Sequence, residues 1–235
     1  MAGERGSHFA LVEIMTAGGV TRRFPKLFLI PLFVVAVSPQ LSAQGGTENG
    51  EWRAYAADSA ASKYSPLDQI TADNFSALGI AWQWDTADTH LVYADAQGTS
   101  LVPSDIVFDR LETADPDLWV TRPRTTRIVA TPIMVDGVLF ISTPLYQAAA
   151  IDARTGKTLW VHDPRTYTSG TPAPAPWVHR GVSYWENDGD ARIVWGTGDG
   201  YLIAVDAQTG IPAEDFGENG RVDLVDGLPR ATRGQ

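Results

Sequence analysis

The sequence of 235 residues contains no cysteine. That excludes disulfides, thiolate metal sites, a cysteine nucleophile and the acylated cysteine of a lipoprotein anchor. Basic residues are scarce: 18 Lys and Arg stand against 28 Asp and Glu, for a net charge of −10. The first 43 residues carry four of the basic and two of the acidic groups, so the remainder is more acidic still. A surface of that sign repels phosphate backbones and argues against a nucleic-acid partner. Histidine is rare, and its four copies are scattered with no zinc-ligand spacing. No serine sits in a nucleophile-elbow setting. Gly196-Thr197-Gly198-Asp199-Gly200 lacks both the Lys-Ser/Thr of a P-loop and the helix of a dinucleotide site, and reads as a hairpin turn. Long apolar runs are missing as well. The longest, residues 27–37, is 11 residues with Pro31 inside, short of the roughly 20 a membrane helix needs.

Glycine, proline and tryptophan, by contrast, are plentiful: 22, 15 and 8. With 44% apolar residues and 10% aromatics the chain can build a core and is not a disordered polymer. Its organising stretch is Ala150-Ile151-Asp152-Ala153-Arg154-Thr155-Gly156-Lys157-Thr158-Leu159-Trp160, which reads as strand, tight turn, strand. The aspartate can accept from backbone amides ahead of it, and the glycine accepts a positive φ. Ala204-Val205-Asp206-Ala207-Gln208-Thr209-Gly210 repeats the pattern 54 residues later. Such a period in a strand-rich chain points to a β-propeller, one four-stranded sheet per repeat.

In chain order, a basic segment (residues 21–26), the short apolar run and the small residues before Ala43 have the layout of a secretory signal peptide. Cleavage would fall after Ala43; Met15 is an alternative start, and an uncleaved leader would be the only membrane attachment. The expected location is therefore the periplasm or outside the cell. Residues 44–50 read as a polar linker and 51–235 as an incomplete propeller domain. Thr71-Ala72-Asp73-Asn74 can cap a short helical turn, and residues 78–84 alternate like a strand. Residues 85–127 lack sustained periodicity and read as a long excursion on one face of the sheets. Their acidic residues Asp105, Asp109, Glu112, Asp115 and Asp117 match no calcium loop and suit a solvated surface.

Residues 129–135, 138–142, 148–151 and 158–162 make the four strands of one blade, with Asp136-Gly137 as its first turn. Residues 181–185, 192–197 and 201–205 supply most of a second. Where the first copy has Trp160, the second has Glu214, so its last strand is expected to be degenerate or displaced, with Phe216 nearby. Trp160, Trp185 and Trp195 are expected to pack between blades. The fold class is thus all-β, about two to three blades. Unclosed blades leave exposed edges, so the 235 residues are expected to be the N-terminal part of a longer protein or a truncated reading frame.

Three stretches together resemble one family: Trp52-Arg53-Ala54-Tyr55 with Lys63-Tyr64-Ser65-Pro66-Leu67-Asp68-Gln69-Ile70; Thr131-Pro132-Ile133-Met134-Val135-Asp136-Gly137-Val138-Leu139-Phe140 running into the repeat; and Val178-His179-Arg180-Gly181-Val182-Ser183-Tyr184-Trp185. The set is similar to the N-terminal part of the pyrroloquinoline quinone (PQQ)-dependent dehydrogenases, nearest the quinoprotein glucose/alcohol dehydrogenase-like group. The resemblance implies an eight-bladed propeller with PQQ in a central funnel, usually with Ca²⁺. It implies oxidation of an alcohol or sugar hydroxyl, with electrons passed to a quinone or cytochrome. Arg180 matches the arginine that meets a PQQ carboxylate, and a guanidinium fork suits that partner. His179 and Trp177 stand beside it as further candidates for the cofactor border. Two positions depart from the pattern: Val129 stands where many members have a glutamate, and Pro174 and Ala175 stand where the alcohol branch has adjacent cysteines. The departures favour a sugar-oxidising or other branch. The catalytic base and Ca²⁺ ligands are expected beyond Gln235. The competing reading is a non-catalytic propeller scaffold for binding or assembly.

Overall fold

A computed structural model describes residues 47–58, 60–96, 98–172 and 176–228. The leader with its signal peptide, and Pro174 and Ala175, lie outside the described residues. Everything described belongs to one compact unit. Of the linker, Glu48–Gly50 forms a single 3-10 turn.

Two four-stranded antiparallel sheets dominate. The first runs in sequence order: β3 (Ile133–Val135), β4 (Val138–Ser142), β5 (Ala148–Asp152) and β6 (Thr158–His162). The second holds β7 (Ser183–Asn187), β8 (Asp190–Gly196), β9 (Tyr201–Asp206) and β10 (Arg221–Asp223). Each is a meander and so a blade. The second blade's last strand is indeed displaced: β10 arrives only after an excursion through Phe216, and three residues pair with β9. The early part of the strand read at residues 129–135 joins no ladder, and only its last three residues pair with β4.

Half of the buried apolar side chains among the described residues lie between these two sheets. Ile133, Val135, Phe140, Ala148, Ala150 and Trp160 of the first blade meet Val182, Ile193, Trp195, Ile203, Val205 and Ala207 of the second. The alanine-rich β5 is buried on both faces, since small side chains let neighbouring layers approach. Trp160 and Trp195 fulfil the inter-blade reading, and each donates its indole N–H across the seam, to Ala207 O (3.0 Å) and Tyr146 O (2.9 Å). Trp185 does not. It is 46% exposed on β7, under the Arg192 guanidinium, because its strand position points away from the seam.

The repeat turn has a mechanical role. Asp152 Oδ1 accepts from the amides of Arg154 (3.0 Å) and Thr155 (2.8 Å), and Asp206 Oδ1 accepts from Thr209 N (2.7 Å). Each turn then presents a glycine at positive φ, +73° at Gly156 and +71° at Gly210, and an indole of the preceding segment lies flat over it. Trp160 covers Gly210; Trp82 covers Gly156 and donates to Ala153 O, as Trp160 donates to Ala207 O. Residues 78–84 are therefore the counterpart of β6 one blade earlier. Their alternation is genuine, with Trp82 and Trp84 turned inward, but no strand lies beside them among the described residues, so they form no ladder.

Residues 85–127 overturn the expectation of an irregular loop. They fold into a hairpin of β1 (His90–Asp95) and β2 (Gly98–Pro103), followed by α1 (Ser104–Ala114). This adds a helix to a chain read as all-β. Residues 85–127, here called the cap, help to enclose a second core of Leu91, Val107, Phe108, Leu145, Tyr146, Tyr167 and Trp177. The acidic residues of α1 serve an ion-pair network: Asp109 and Glu112 both bind Arg122, at 2.6 Å each.

Candidate functional site

The coils that enter β3 and β7 meet, and Thr131 N donates to Arg180 O at 3.2 Å. Val129 is partly exposed at the same entry, and Arg180 is exposed. Its guanidinium has no hydrogen-bond or ion-pair partner among the described residues. Exposed Arg124 and Arg127 are likewise without such a partner among the described residues, whereas Arg53, Arg122 and Arg192 pair with carboxylates; what sets Arg180 apart is its place where the coils entering the two blades meet. A free fork of this kind is suited to an incoming carboxylate, which it can hold through two parallel hydrogen bonds.

The three residues singled out from the sequence share one loop but diverge in space. His179 turns into the seam between blades. Its Nε2 faces Gly196 O at 2.9 Å and its Nδ1 meets the Ser142 hydroxyl, while Tyr146 packs edge-on at 5.2 Å between ring centroids. Burial lowers its pKa, so the ring is neutral. The carbonyl fixes the proton on Nε2, and Nδ1 accepts from Ser142 Oγ. Such a ring ties the end of β4 to the end of β8. Trp177 is only 3% exposed, beneath the cap, with its Nε1 donating to Thr121 O at 2.6 Å. Arg180 alone of the three faces solvent.

Several groups near this face were not read from sequence. Asp199, buried in the turn taken only as a hairpin, accepts from Thr197 Oγ1 (2.5 Å), Ser169 Oγ (3.2 Å) and Thr166 Oγ1 (3.4 Å). It thereby ties the β6–β7 loop to the second blade. A lone aspartate between two glycines was the available signal. Asp88, at the foot of the cap, is fully buried; its Oδ2 accepts from Leu145 N at 3.1 Å and its Oδ1 has no partner. Burial and the nearby Asp163 charge push its pKa up to about 7, despite hydrogen bonds from Thr143 and Leu145. Asp163 is shifted upward too, chiefly by burial. Among the described residues no group of three or more His, Asp or Glu is placed to hold a metal.

Comparison with known proteins accords with this arrangement. The chain is similar to 1-butanol dehydrogenase (cytochrome c) of Thauera butanivorans, 30% identical over 201 residues, which are 83% of this chain and 23% of that protein. It is 31% identical over 205 residues to the dehydrogenase subunit of the alcohol dehydrogenase (quinone) of Gluconobacter oxydans, covering 83% of this chain and 22% of the relative. The crystal structure of quinohemoprotein alcohol dehydrogenase from Comamonas testosteroni superposes with a TM-score of 0.52 and 27% identity over 80% of this chain and 21% of that one. The chain thus spans under a quarter of the length of these curated relatives. Residues 52–235 match the family described as PQQ: glucose/ethanol/alcohol dehydrogenase, beta-propeller domain. With two meander blades, repeat turns capped by indoles and a match over most of its length, the chain belongs to the family of PQQ-dependent glucose/ethanol/alcohol dehydrogenase β-propellers.

Proposed function

We propose that this chain forms part of an exported quinoprotein dehydrogenase that oxidises an alcohol or sugar hydroxyl and passes the electrons to a quinone or cytochrome. The observation that carries the reading is Arg180: an exposed guanidinium without a partner among the described residues, at the meeting of the two blade entries. PQQ bears carboxylates, and the donor set fits one of them. When bound, the cofactor supplies the two-electron acceptor that no amino-acid side chain provides. Arg180 would bind and orient it, while neutral His179 and the Thr131–Arg180 hydrogen bond keep the backbone beneath that fork from moving. Val129 offers no polar contact beside it. Calcium belongs to the same reading, with ligands drawn from elsewhere in the protein.

The apolar Val129 also favours a second reading, a propeller that binds without catalysing. One experiment separates the two. The protein expressed from its complete reading frame is supplied with PQQ and Ca²⁺ and assayed for dye reduction across alcohols and sugars. Substrate-dependent reduction is expected. No turnover on any substrate would select the scaffold, and absence of PQQ binding as well would overturn the enzyme reading. Arg180→Ala should weaken PQQ binding by about 1.5–3 kcal/mol, the scale of a charge-assisted hydrogen bond; unchanged affinity removes Arg180 from the site.

A further inference from the structure

The connections that lead into the two blades differ greatly in length. From the docked Trp160 the chain reaches β7 at Ser183, whereas from the equivalent Trp82 it travels to Ile133 before β3 begins. The surplus is the cap, and the cap is stitched to the loop that ends at Arg180. Trp119 Nε1 donates to Tyr167 O at 2.9 Å. Thr121 N donates to Thr171 Oγ1 at 2.9 Å, and that hydroxyl returns a bond to Thr121 O at 3.2 Å. Thr121 O also accepts from Trp177 Nε1 at 2.6 Å.

Trp177 has φ +56°, the left-handed region that a bulky side chain rarely adopts. Strain of this kind persists only where the surroundings enforce it. Here the enforcement is visible: the ring is buried among cap residues and its single donor is used. The Trp177 backbone sets the direction in which the chain leaves the cap toward His179 and Arg180. Three residues on, Arg180 is the exposed end of this strap.

We propose that Trp177 is a positioning residue: the cap, through Thr121, holds its left-handed backbone and thereby aims Arg180. The proposal rests on the reading of Arg180 as a carboxylate partner, and it gives the cap a task in the site.

The test is a double-mutant cycle on PQQ affinity, measured by titration in the protein expressed from its complete reading frame, with thermal melts to confirm folding. Trp177→Phe keeps an aromatic ring under the cap and loses the donor. It is expected to raise Kd about fivefold, the scale of one hydrogen bond, yet by less than twofold in the Arg180→Ala background. Thr171→Val, which removes the other stitch without changing the side chain's shape, is the second variant and should show the same dependence. Equal losses in both backgrounds would mean general loosening, and no loss in either would mean no coupling; both overturn the proposal. If Arg180→Ala itself leaves Kd unchanged, the cofactor reading of Arg180 has failed and this inference falls with it. If Arg180→Ala weakens binding while the Trp177 and Thr171 variants do not, only the positioning role has failed.

Discussion

At the scale of single residues, Asp88 is the most consequential group that lies outside the repeat. It joins the foot of the cap to the β4–β5 loop through Leu145 N, with one oxygen unpaired and a pKa raised to about 7 from an ordinary 3.8. A carboxyl whose pKa is raised by folding favours the folded state in its protonated form. Its contribution is whole below about pH 4 and is lost as pH rises through 7. The amide introduced by Asp88→Asn would be neutral throughout. The difference in melting temperature between Asp88→Asn and the native protein should therefore move in favour of the variant between pH 5 and pH 8. The underlying free energy is on the order of a few kcal/mol at most. A difference independent of pH would show that Asp88 does not titrate in this window. Asp163 is shifted in the same direction and its charge acts on Asp88, so the difference reports Asp88 together with its coupling to Asp163. None of this was legible in the sequence, where Asp88 is one of many acidic residues in a stretch without periodicity. Its burial comes from a hairpin and helix whose apolar positions only make sense once the β6–β7 loop closes over them.

Among the elements, the turn-and-tryptophan unit was the most legible and the cap the least. Asp152, Gly156 and Trp160 announce their roles by chemistry, as a side-chain acceptor, a positive φ and a large flat ring, and the repeat at Asp206 and Gly210 doubles the signal. Residues 78–84 alternate as a strand should, but pairing is a property of two segments and one of them is not beside it. The cap hairpin was obscured because Leu91 and Val102 point inward while their neighbours Val92 and Leu101 stay exposed and apolar, which erases the polar half of the period. A β-carbon on Gly210 would come within 2.6 Å of the Trp160 ring, at a φ that disfavours any side chain. Gly210→Ala should cost about 2–4 kcal/mol in urea unfolding, and Trp160→Ala about 3–5 kcal/mol. Both disrupt one contact, so the double variant should lose less than their sum. Full additivity would mean the ring and the glycine act separately. As for the site, Arg180 stood out in the sequence by its motif, whereas the burial of Trp177 and the inward turn of His179 depend on the cap and the seam, which no local pattern encodes.

For the whole molecule, what matters is how much apolar surface these 235 residues leave uncovered. Tyr64, Leu67, Ile70, Phe75, Leu78 and Ile80 are each more than half exposed, and among the described residues β6 and β10 end the sheets without a further neighbour. Exposed apolar stretches and unpaired edges invite association with other chains. Expressed alone, these residues should elute in size-exclusion chromatography at an apparent mass that grows with concentration, and Phe75→Lys with Ile80→Lys should reduce that growth. A concentration-independent monomer would mean that the surface is self-shielded.

The indole-over-glycine contact also gives the array a direction in time. In both instances the tryptophan precedes the glycine that receives it, Trp82 before Gly156 and Trp160 before Gly210. On a ribosome the knob of each blade is made before its socket exists. A blade can close its own hydrogen bonds as it emerges, but its outer tryptophan has nowhere to rest until the following turn has been synthesised. Completion therefore trails synthesis by one blade, and the last tryptophan to emerge is always the one still waiting.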